Sequence, residues 1–293
     1  MSNTNRYFVQ VSAHSDVGRV REANEDNFLV ADLTEQRRRE TNCTLEFLSN
    51  RCGAMFVVAD GMGGASAGML ASRLAVRTLF NQIQVAIDVQ DLLDDQTVEG
   101  IILDAVEVAN RRIFGVGSGQ AGYEGMGTTL TLAYEIRGRI AIGQVGDSRA
   151  YLLRDDGIGQ LTQDQTMVAS KVLSGQLTEI EARFHPDRNL LMQALGAQLQ
   201  VKPVLSWVTL HPWDVLLLCS DGLHDQMEAD EIYAVVAESP GIPEAVAALV
   251  ELANRRGGPD NITVVLAQFM PGSDEERNAG LKARGARLFG SSP

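Results

Sequence analysis

Short apolar runs that end in Gly, Asp or Asn recur along this chain, and two long stretches of helical spacing interrupt them. Alternation predicts a first strand over residues 7–12, and apolar, β-branched or aromatic runs predict others over 28–31, 44–48 and 55–59. Leu70, Leu74, Ala75, Leu79 and Ile83 then recur every three to five residues, as do Val98, Ile101, Ile102, Ala105, Val108, Ala109 and Ile113. That spacing predicts two core-facing amphipathic helices, over 66–85 and from 94 or 96 to 114. Strands follow over 127–135, 139–145 and 148–154, joined by short polar or Gly-containing turns, so they are expected to form an antiparallel meander.

The signals are mixed over 163–198. Leu177-Thr178-Glu179-Ile180-Glu181-Ala182 begins like a capped helix and His185-Pro186 ends it, so this excursion is expected to lie over the sheet as a mobile flap. Strands return at 201–210 and 214–219, helices at 230–237 and 243–256, and a last strand at 262–269. The tail 271–293 is rich in Gly, Ser and charge and is expected to be disordered. Strands and helices are segregated rather than strictly alternating, which points to an α+β sandwich of antiparallel sheets covered by helices and away from a doubly wound parallel sheet.

Carboxylates sit at the ends of these runs. Asp60-Gly61-Met62-Gly63-Gly64 leaves the run Met55-Phe56-Val57-Val58-Ala59, and Ser220-Asp221-Gly222 leaves Val215-Leu216-Leu217-Leu218-Cys219. Gly146-Asp147-Ser148 follows a third strand, while Asp260-Asn261 and Glu25-Asp26 stand just before strands. By itself Asp60 is equally a helix N-cap, a place Asp fills well. Several oxygen ligands presented from strand ends, with no Cys or His beside them, suit Mg²⁺ or Mn²⁺ better than zinc or copper.

With 293 residues, 45% of them hydrophobic, the chain has enough apolar residues for one large domain, and the spread of candidate ligands from Glu25 to Asp260 favours one over two. A net charge of −13 argues against nucleic acid as a partner, and Arg37-Arg38-Arg39 sits in a polar stretch that reads as a solvated hairpin tip. Cys43, Cys52 and Cys219 cannot all pair, and none has zinc or redox spacing, so a reducing cytoplasm is the expected setting. No apolar signal core and no run of about 18 apolar residues occurs, so neither export nor membrane spanning is expected.

Six segments in one order tie these observations together. They are Ser15-Asp16-Val17-Gly18 with Arg21 and Asn24-Glu25-Asp26; Val58-Ala59-Asp60-Gly61-Met62-Gly63-Gly64; Gly125-Met126-Gly127-Thr128-Thr129-Leu130; Val145-Gly146-Asp147-Ser148-Arg149; Leu217-Leu218-Cys219-Ser220-Asp221-Gly222; and Gly257-Gly258 with Asp260-Asn261-Ile262-Thr263. In this the chain resembles the bacterial-type metal-dependent serine/threonine protein phosphatases, the type 2C or PPM family, over residues 7 to 269. The resemblance implies a four-layer αββα sandwich, residues 1–270 as the catalytic domain, and two Mn²⁺ or Mg²⁺ ions at one end of the sheets. It implies that Asp60 bridges the two metals, that Asp221 and Asp260 hold the first, and that Glu25 and the Gly61 carbonyl hold the second. Asp147 with Asp221 would serve a third, weaker position. Asp26 would orient ligands and water, and Arg21 would grip the substrate phosphate. Phosphorylated proteins, and by extension a serine/threonine kinase acting on the same targets, are the implied partners of a monomer.

Two divalent ions about 4 Å apart acidify a bridging water, so hydroxide attacks phosphorus without a protein nucleophile, and a planar guanidinium at Arg21 matches two phosphate oxygens as Lys cannot. The alternative for Arg21 is a salt bridge with Glu22 or Glu25. Two departures stand out: Ala65 and Gln165 occupy places where many bacterial relatives carry His. His185 is then a candidate general acid, and His224 is expected to face solvent or cap a helix. The rival classes are a pseudophosphatase acting as a regulatory binding module and a non-enzymatic acidic ion-binding protein.

Overall fold

The computed structural model describes residues 6–90 and 93–284. In chain order the first elements are β1 (Tyr7–Asp16), β2 (Asn27–Asp32), β3 (Arg37–Arg39), β4 (Cys43–Leu48), β5 (Ala54–Ala59) and β6 (Gly61–Met62), followed by the helices α1 (Ala65–Asp88) and α2 (Asp95–Gly119). Then come β7 (Gly127–Thr128), β8 (Leu130–Ile136), β9 (Arg139–Val145), β10 (Arg149–Arg154), β11 (Gly157–Gln160), α3 (Met167–Leu173) and α4 (Glu179–Arg183). The chain continues through β12 (Val204–Thr209), β13 (Val215–Cys219), α5 (Asp221–His224), α6 (Ala229–Glu238), α7 (Ile242–Arg255), β14 (Ile262–Pro271) and α8 (Asp274–Arg284).

Two six-stranded sheets form, in the orders β11-β10-β13-β14-β1-β4 and β12-β9-β8-β5-β2-β3, and every pairing is antiparallel. Between them lie Val9, Val11, Phe28, Val30, Phe56, Val58, Leu216, Leu218, Val265 and Phe269, with Phe269 edge-on to both Phe56 and Tyr7. The outer face of the second sheet buries Met55, Val57, Leu132 and Tyr134 under α1 and α2, while α6 and α7 cover Tyr151, Leu217, Val264 and Leu266 of the first. The order is helix, sheet, sheet, helix, so the α+β sandwich expected from the segregated elements is what forms. Strands covered on both faces need apolar side chains at consecutive positions, which is why β5 and β13 read as unbroken apolar runs rather than as alternation. β1 pairs with β14, so the two ends of the chain share one sheet. Among the described residues no helix is long and apolar enough to cross a membrane.

Three local expectations change. Residues 148–154 do not extend a meander: β8 and β9 pair, but β10 crosses to the other sheet and pairs with β11 and β13. The crossing is made at Gly146, whose φ of 99° favours glycine and where a Cβ would lie 2.8 Å from Thr129 Cγ2. The Arg37-Arg38-Arg39 run is an edge strand held in place by its charges, with Arg37 on the buried carboxylate of Asp32 and Arg38 over the Phe80 ring. The tail, expected to lack structure, carries α8, because Ser273 accepts from the Glu276 N–H at its start and Arg277 lies over the Phe8 ring. The remainder of the tail lies outside the described residues.

Glycine positions give a paired test of the crossing. Gly146→Ala is expected to destabilise the protein by about 1–3 kcal/mol through backbone strain and the Thr129 contact, whereas Gly115→Ala, in α2 with open space around it, is expected to stabilise by about 0.5–1 kcal/mol. Urea denaturation of both variants checks the sign of each.

Candidate metal centre

Neighbouring antiparallel strands put the start of one beside the end of the next, and this gathers the carboxylates. Asn27 of β2 lies opposite Ala59 of β5, Leu130 of β8 opposite Val145 of β9, and Asp16 of β1 opposite Ile262 of β14. Asp60, Asp147 and Asp221 leave the ends of β5, β9 and β13, while Glu25-Asp26 and Asp260 precede β2 and β14. All six therefore reach the same rim of the sandwich.

Asp60 is not a helix cap: β6 intervenes, Gly64 caps α1, and no side chain caps that helix. Its main chain is clamped instead. The Asp60 N–H donates to Thr129 Oγ1 at 2.9 Å, and its carbonyl accepts from Thr128 Oγ1 and the Thr129 N–H, each at 2.8 Å. Gly61 packs against Gly68 and Glu25, where a Cβ would come within 2.2 Å of the Gly68 carbonyl and 2.6 Å of the Glu25 carbonyl. Gly68 in turn leaves room for the Glu25 carboxylate, 1.9 Å from where its own Cβ would be. Glu25 and Gly61, expected to serve the same ion, are thus neighbours.

Asp26 is the most buried of the six rim acids. Its Oδ2 accepts from Ser220 Oγ at 2.7 Å and Thr263 Oγ1 at 2.6 Å, and its Oδ1 meets no donor, a deficit that Oδ1 of Asp221 shares. Arg21 pairs with Asp260 Oδ2 at 2.6 Å rather than with Glu22 or Glu25, so the candidate phosphate grip stands over a candidate ligand. His224 is buried, contrary to the sequence-based expectation, with Nε2 3.2 Å from the Asp147 carbonyl and Nδ1 facing Asp225. Both ring nitrogens of His185 are used within the excursion, Nδ1 by the Asp187 N–H and Nε2 beside Lys171. Gln165 is a tether: its Oε1 accepts from the Gly146 N–H at 2.9 Å and its own N–H donates to the Gly146 carbonyl. Ala65 is exposed at the start of α1.

Crowding sets the electrostatics. Burial pushes Asp60 well above the usual carboxylate range, and the charges of Asp26, Asp221, Asp147 and Asp260 push it further. Burial also takes Asp221 up to about 8, with Asp147 adding to it and His224 opposing. Asp147 rises to about 7 through burial and the charges of Asp164 and Asp225. Asp26 rises to about 6, held lower than its burial alone would leave it by the Thr263 and Ser220 hydroxyls. Glu25 is raised by burial and lowered by Arg21.

An all-oxygen donor set, two buried carboxylate oxygens short of a partner and four acids that burden one another fit divalent cations such as Mg²⁺ or Mn²⁺. The fit is in chemistry, not in a finished cage. Among the described residues no three His, Cys, Asp or Glu side chains are grouped as a ready set of ligands, and Arg21 occupies Asp260. Thr128, Thr129, Ser220 and Thr263 support the acids but stood out in the sequence only as hydroxyl residues inside the six ordered segments. Their partners lie far along the chain, 194 and 237 residues away for the two hydroxyls on Asp26.

Two layers of helix enclose two antiparallel sheets with acids gathered at one rim, and sequence comparison gives the family to which this sandwich belongs. Residues 36–263 match the family described as Protein phosphatase 2C, and the chain belongs to that family. It is 36% identical over 266 residues to the serine/threonine protein phosphatase PstP of Mycobacterium tuberculosis, covering 89% of this chain and 45% of the relative, less than half its length. The solved Streptococcus agalactiae serine/threonine phosphatase superposes with a TM-score of 0.77 at 32% identity, over 88% of this chain and 98% of that one. A crystal structure of the catalytic domain of PstP with two manganese ions superposes with a TM-score of 0.71 at 33% identity, over 90% and 99%.

The raised acids give a pH signature. A carboxylate with a native pKa above its unfolded value holds a proton in the native state that the unfolded state has lost, so stability falls as pH rises through that window. For Asp26, Asp147 and Asp221 the window runs from the unfolded value of about 4 up to about 8. In chelator, the thermal midpoint is expected to drop between pH 6 and 8.5, and Mn²⁺ is expected to raise it more at pH 8.5 than at pH 6. Buried Glu135, at the opposite end of β8 and raised to about 7, adds to the first effect but not to the second. A Mn²⁺ increment independent of pH would contradict the assignment.

Proposed function

We propose that this protein hydrolyses phosphate monoesters on serine and threonine side chains of phosphoproteins, the products of a serine/threonine kinase. The centre would use two Mn²⁺ or Mg²⁺ ions held by Glu25, Asp60, the Gly61 carbonyl, Asp221 and Asp260, with Asp147 and Asp221 offering a third, weaker position. The observation that carries the reading is the gathering of Asp26, Asp147, Asp221 and Asp260 around Asp60 at one rim, each adding to the charge that Asp60 must bear. The manganese-bound structure similar to this chain supports the choice of cation. Two such ions, when bound, supply positive charge to the phosphoryl oxygens and lower the pKa of water enough for attack near neutral pH.

The residues divide the remaining work. Arg21, half exposed above Asp260, offers a planar pair of N–H donors to the phosphate, and exchanging Asp260 for substrate leaves that carboxylate to the cation. Asp26 is fixed through one oxygen by Ser220 and Thr263, which leaves Oδ1 to accept from water at the centre. The Thr128 and Thr129 clamp holds Asp60 from behind, so its carboxylate is placed without the use of its own oxygens. With Ala65 and Gln165 in place of histidines, and His185 engaged by Asp187 and Lys171, solvent supplies the proton for the leaving oxygen. The excursion over 163–198, tied to the Asp147 turn through Gln165, forms the flap beside the substrate.

The purified protein is expected to hydrolyse p-nitrophenyl phosphate and a phosphothreonine peptide with Mn²⁺ and to stop in chelator. Asp60→Asn is expected to lose at least about 10²-fold in kcat with an unchanged circular dichroism spectrum. Turnover that persists in chelator, or in a folded Asp60→Asn variant, would remove the reading, and an inactive parent that binds Mn²⁺ would favour the regulatory module.

A further inference from the structure

The loop that carries Arg21, residues 17–23, runs from β1 of one sheet toward β2 of the other and has little apolar anchorage. Val20 is 67% exposed and Val17 36%, so the loop owes its position to polar bonds. Gly18 donates to Asp16 Oδ1 at 2.9 Å and Arg19 donates its N–H to the Gly258 carbonyl at 2.7 Å. One side chain spans the rest. Asn261, 4% exposed, donates through Nδ2 to the carbonyls of both Val17 and Ala23, each at 3.0 Å, which closes the two ends of the loop on one amide. Its Oδ1 accepts from the Glu25 N–H at 2.8 Å, and its own N–H donates to Asp260 Oδ1 at 2.8 Å. The orientation of the amide follows from these partners, because a flipped group would set its oxygen against two carbonyls.

We infer that Asn261 is a positioning residue that sets where Arg21 stands over Asp260 and where Glu25 stands against Gly68, so that the phosphate grip and the cation ligands move as one body. The inference rests on the function proposed above. Its chemistry explains the residue type: Asp offers no donors to the two loop carbonyls, Ser has too few polar atoms, and Gln is a methylene too long for a buried site with this geometry. The side chain touches neither substrate nor cation in this account. It acts through Arg21 and Glu25 alone.

Asn261→Asp keeps an acceptor for the Glu25 N–H and loses both donors to the loop, while Asn261→Ala loses all three bonds. Asn110→Asp is the control, since Asn110 is a buried amide that staples another segment by donating to the carbonyls of Gln198 and Leu199. Hydrogen exchange, read on the protein without substrate, is expected to quicken about tenfold or more for amides of 17–23 in Asn261→Asp and to stay at the parent rate there in Asn110→Asp. With a phosphothreonine peptide, KM is expected to rise about five- to tenfold in Asn261→Asp with kcat within about twofold. Mn²⁺ affinity measured by calorimetry is expected to weaken in Asn261→Ala and not in Asn261→Asp. Unchanged exchange over 17–23 in Asn261→Asp, or a change matched by the control, overturns the inference while an active parent leaves the proposed function standing. A loosened loop with unchanged KM overturns the link to Arg21. If the parent is inactive the proposed function fails, and the exchange measurement still decides the role of Asn261 in the loop.

Discussion

Carboxylates brought together below the surface of one rim repel one another, and the rest of the molecule is arranged to hold them there. Asp60 bears the field of Asp26, Asp147, Asp221 and Asp260 on top of its own burial. A fold whose acids were carried on loose loops would relieve that strain by letting them part. Here each acid leaves or enters a strand of a sandwich with an apolar interior, and the strand ends cannot separate without opening the sheets. The energy that keeps the rim crowded is therefore hydrophobic, supplied by Phe56, Phe269 and their neighbours between the sheets, and the proposed cations would relieve the crowding.

Antiparallel pairing accounts for the placement. Because each strand starts where its neighbour ends, acids that follow strands at 60, 147 and 221 and acids that precede strands at 25–26 and 260 share one rim, although they span most of the chain. Among the connections that cross between the sheets at that rim are 17–26 and 146–148. Both carry residues of the proposed site, and both are fastened by polar bonds: the first by Asn261, the second by Gln165 on Gly146. Hydroxyl groups complete the support, with Thr128 and Thr129 behind Asp60 and Ser220 and Thr263 on Asp26. Ser220 and Thr263, as neutral donors, fix the Asp26 carboxylate without cancelling its charge, which a Lys or Arg in the same place would do.

Much of the placement of acids at strand ends could be read from the chain alone, for a reason particular to these residues. Asp60 and Asp221 follow unbroken apolar runs and precede glycine, so burial, strand end and turn are all written within a few residues. Other features were hidden. Residues 148–154 have the composition of the strands before them, and what sends β10 to the other sheet is the left-handed backbone at Gly146, which any short Gly turn in a meander might share. His224 follows Asp221 by three residues and lies buried against the Asp147 carbonyl, since the one-turn helix α5 directs it inward. The arginines at 37–39 are solvated as expected, but their contacts with Asp32 and Phe80 could not be read from the chain.

The α+β class, the principal strands and helices, the acids that end or begin strands, and the oxygen-rich character of those motifs were legible in the chain alone. These depend on local pattern: apolar continuity, helical spacing, and glycine beside aspartate. Folding settles which sheet each strand joins, that Arg21 faces Asp260, that Asn261 binds the loop at both ends, and that Asp26 hangs from Ser220 and Thr263. Those are contacts between residues some 200 positions apart or more, and no local pattern encodes them, because they form only when burial of the apolar faces has brought distant segments to the same rim.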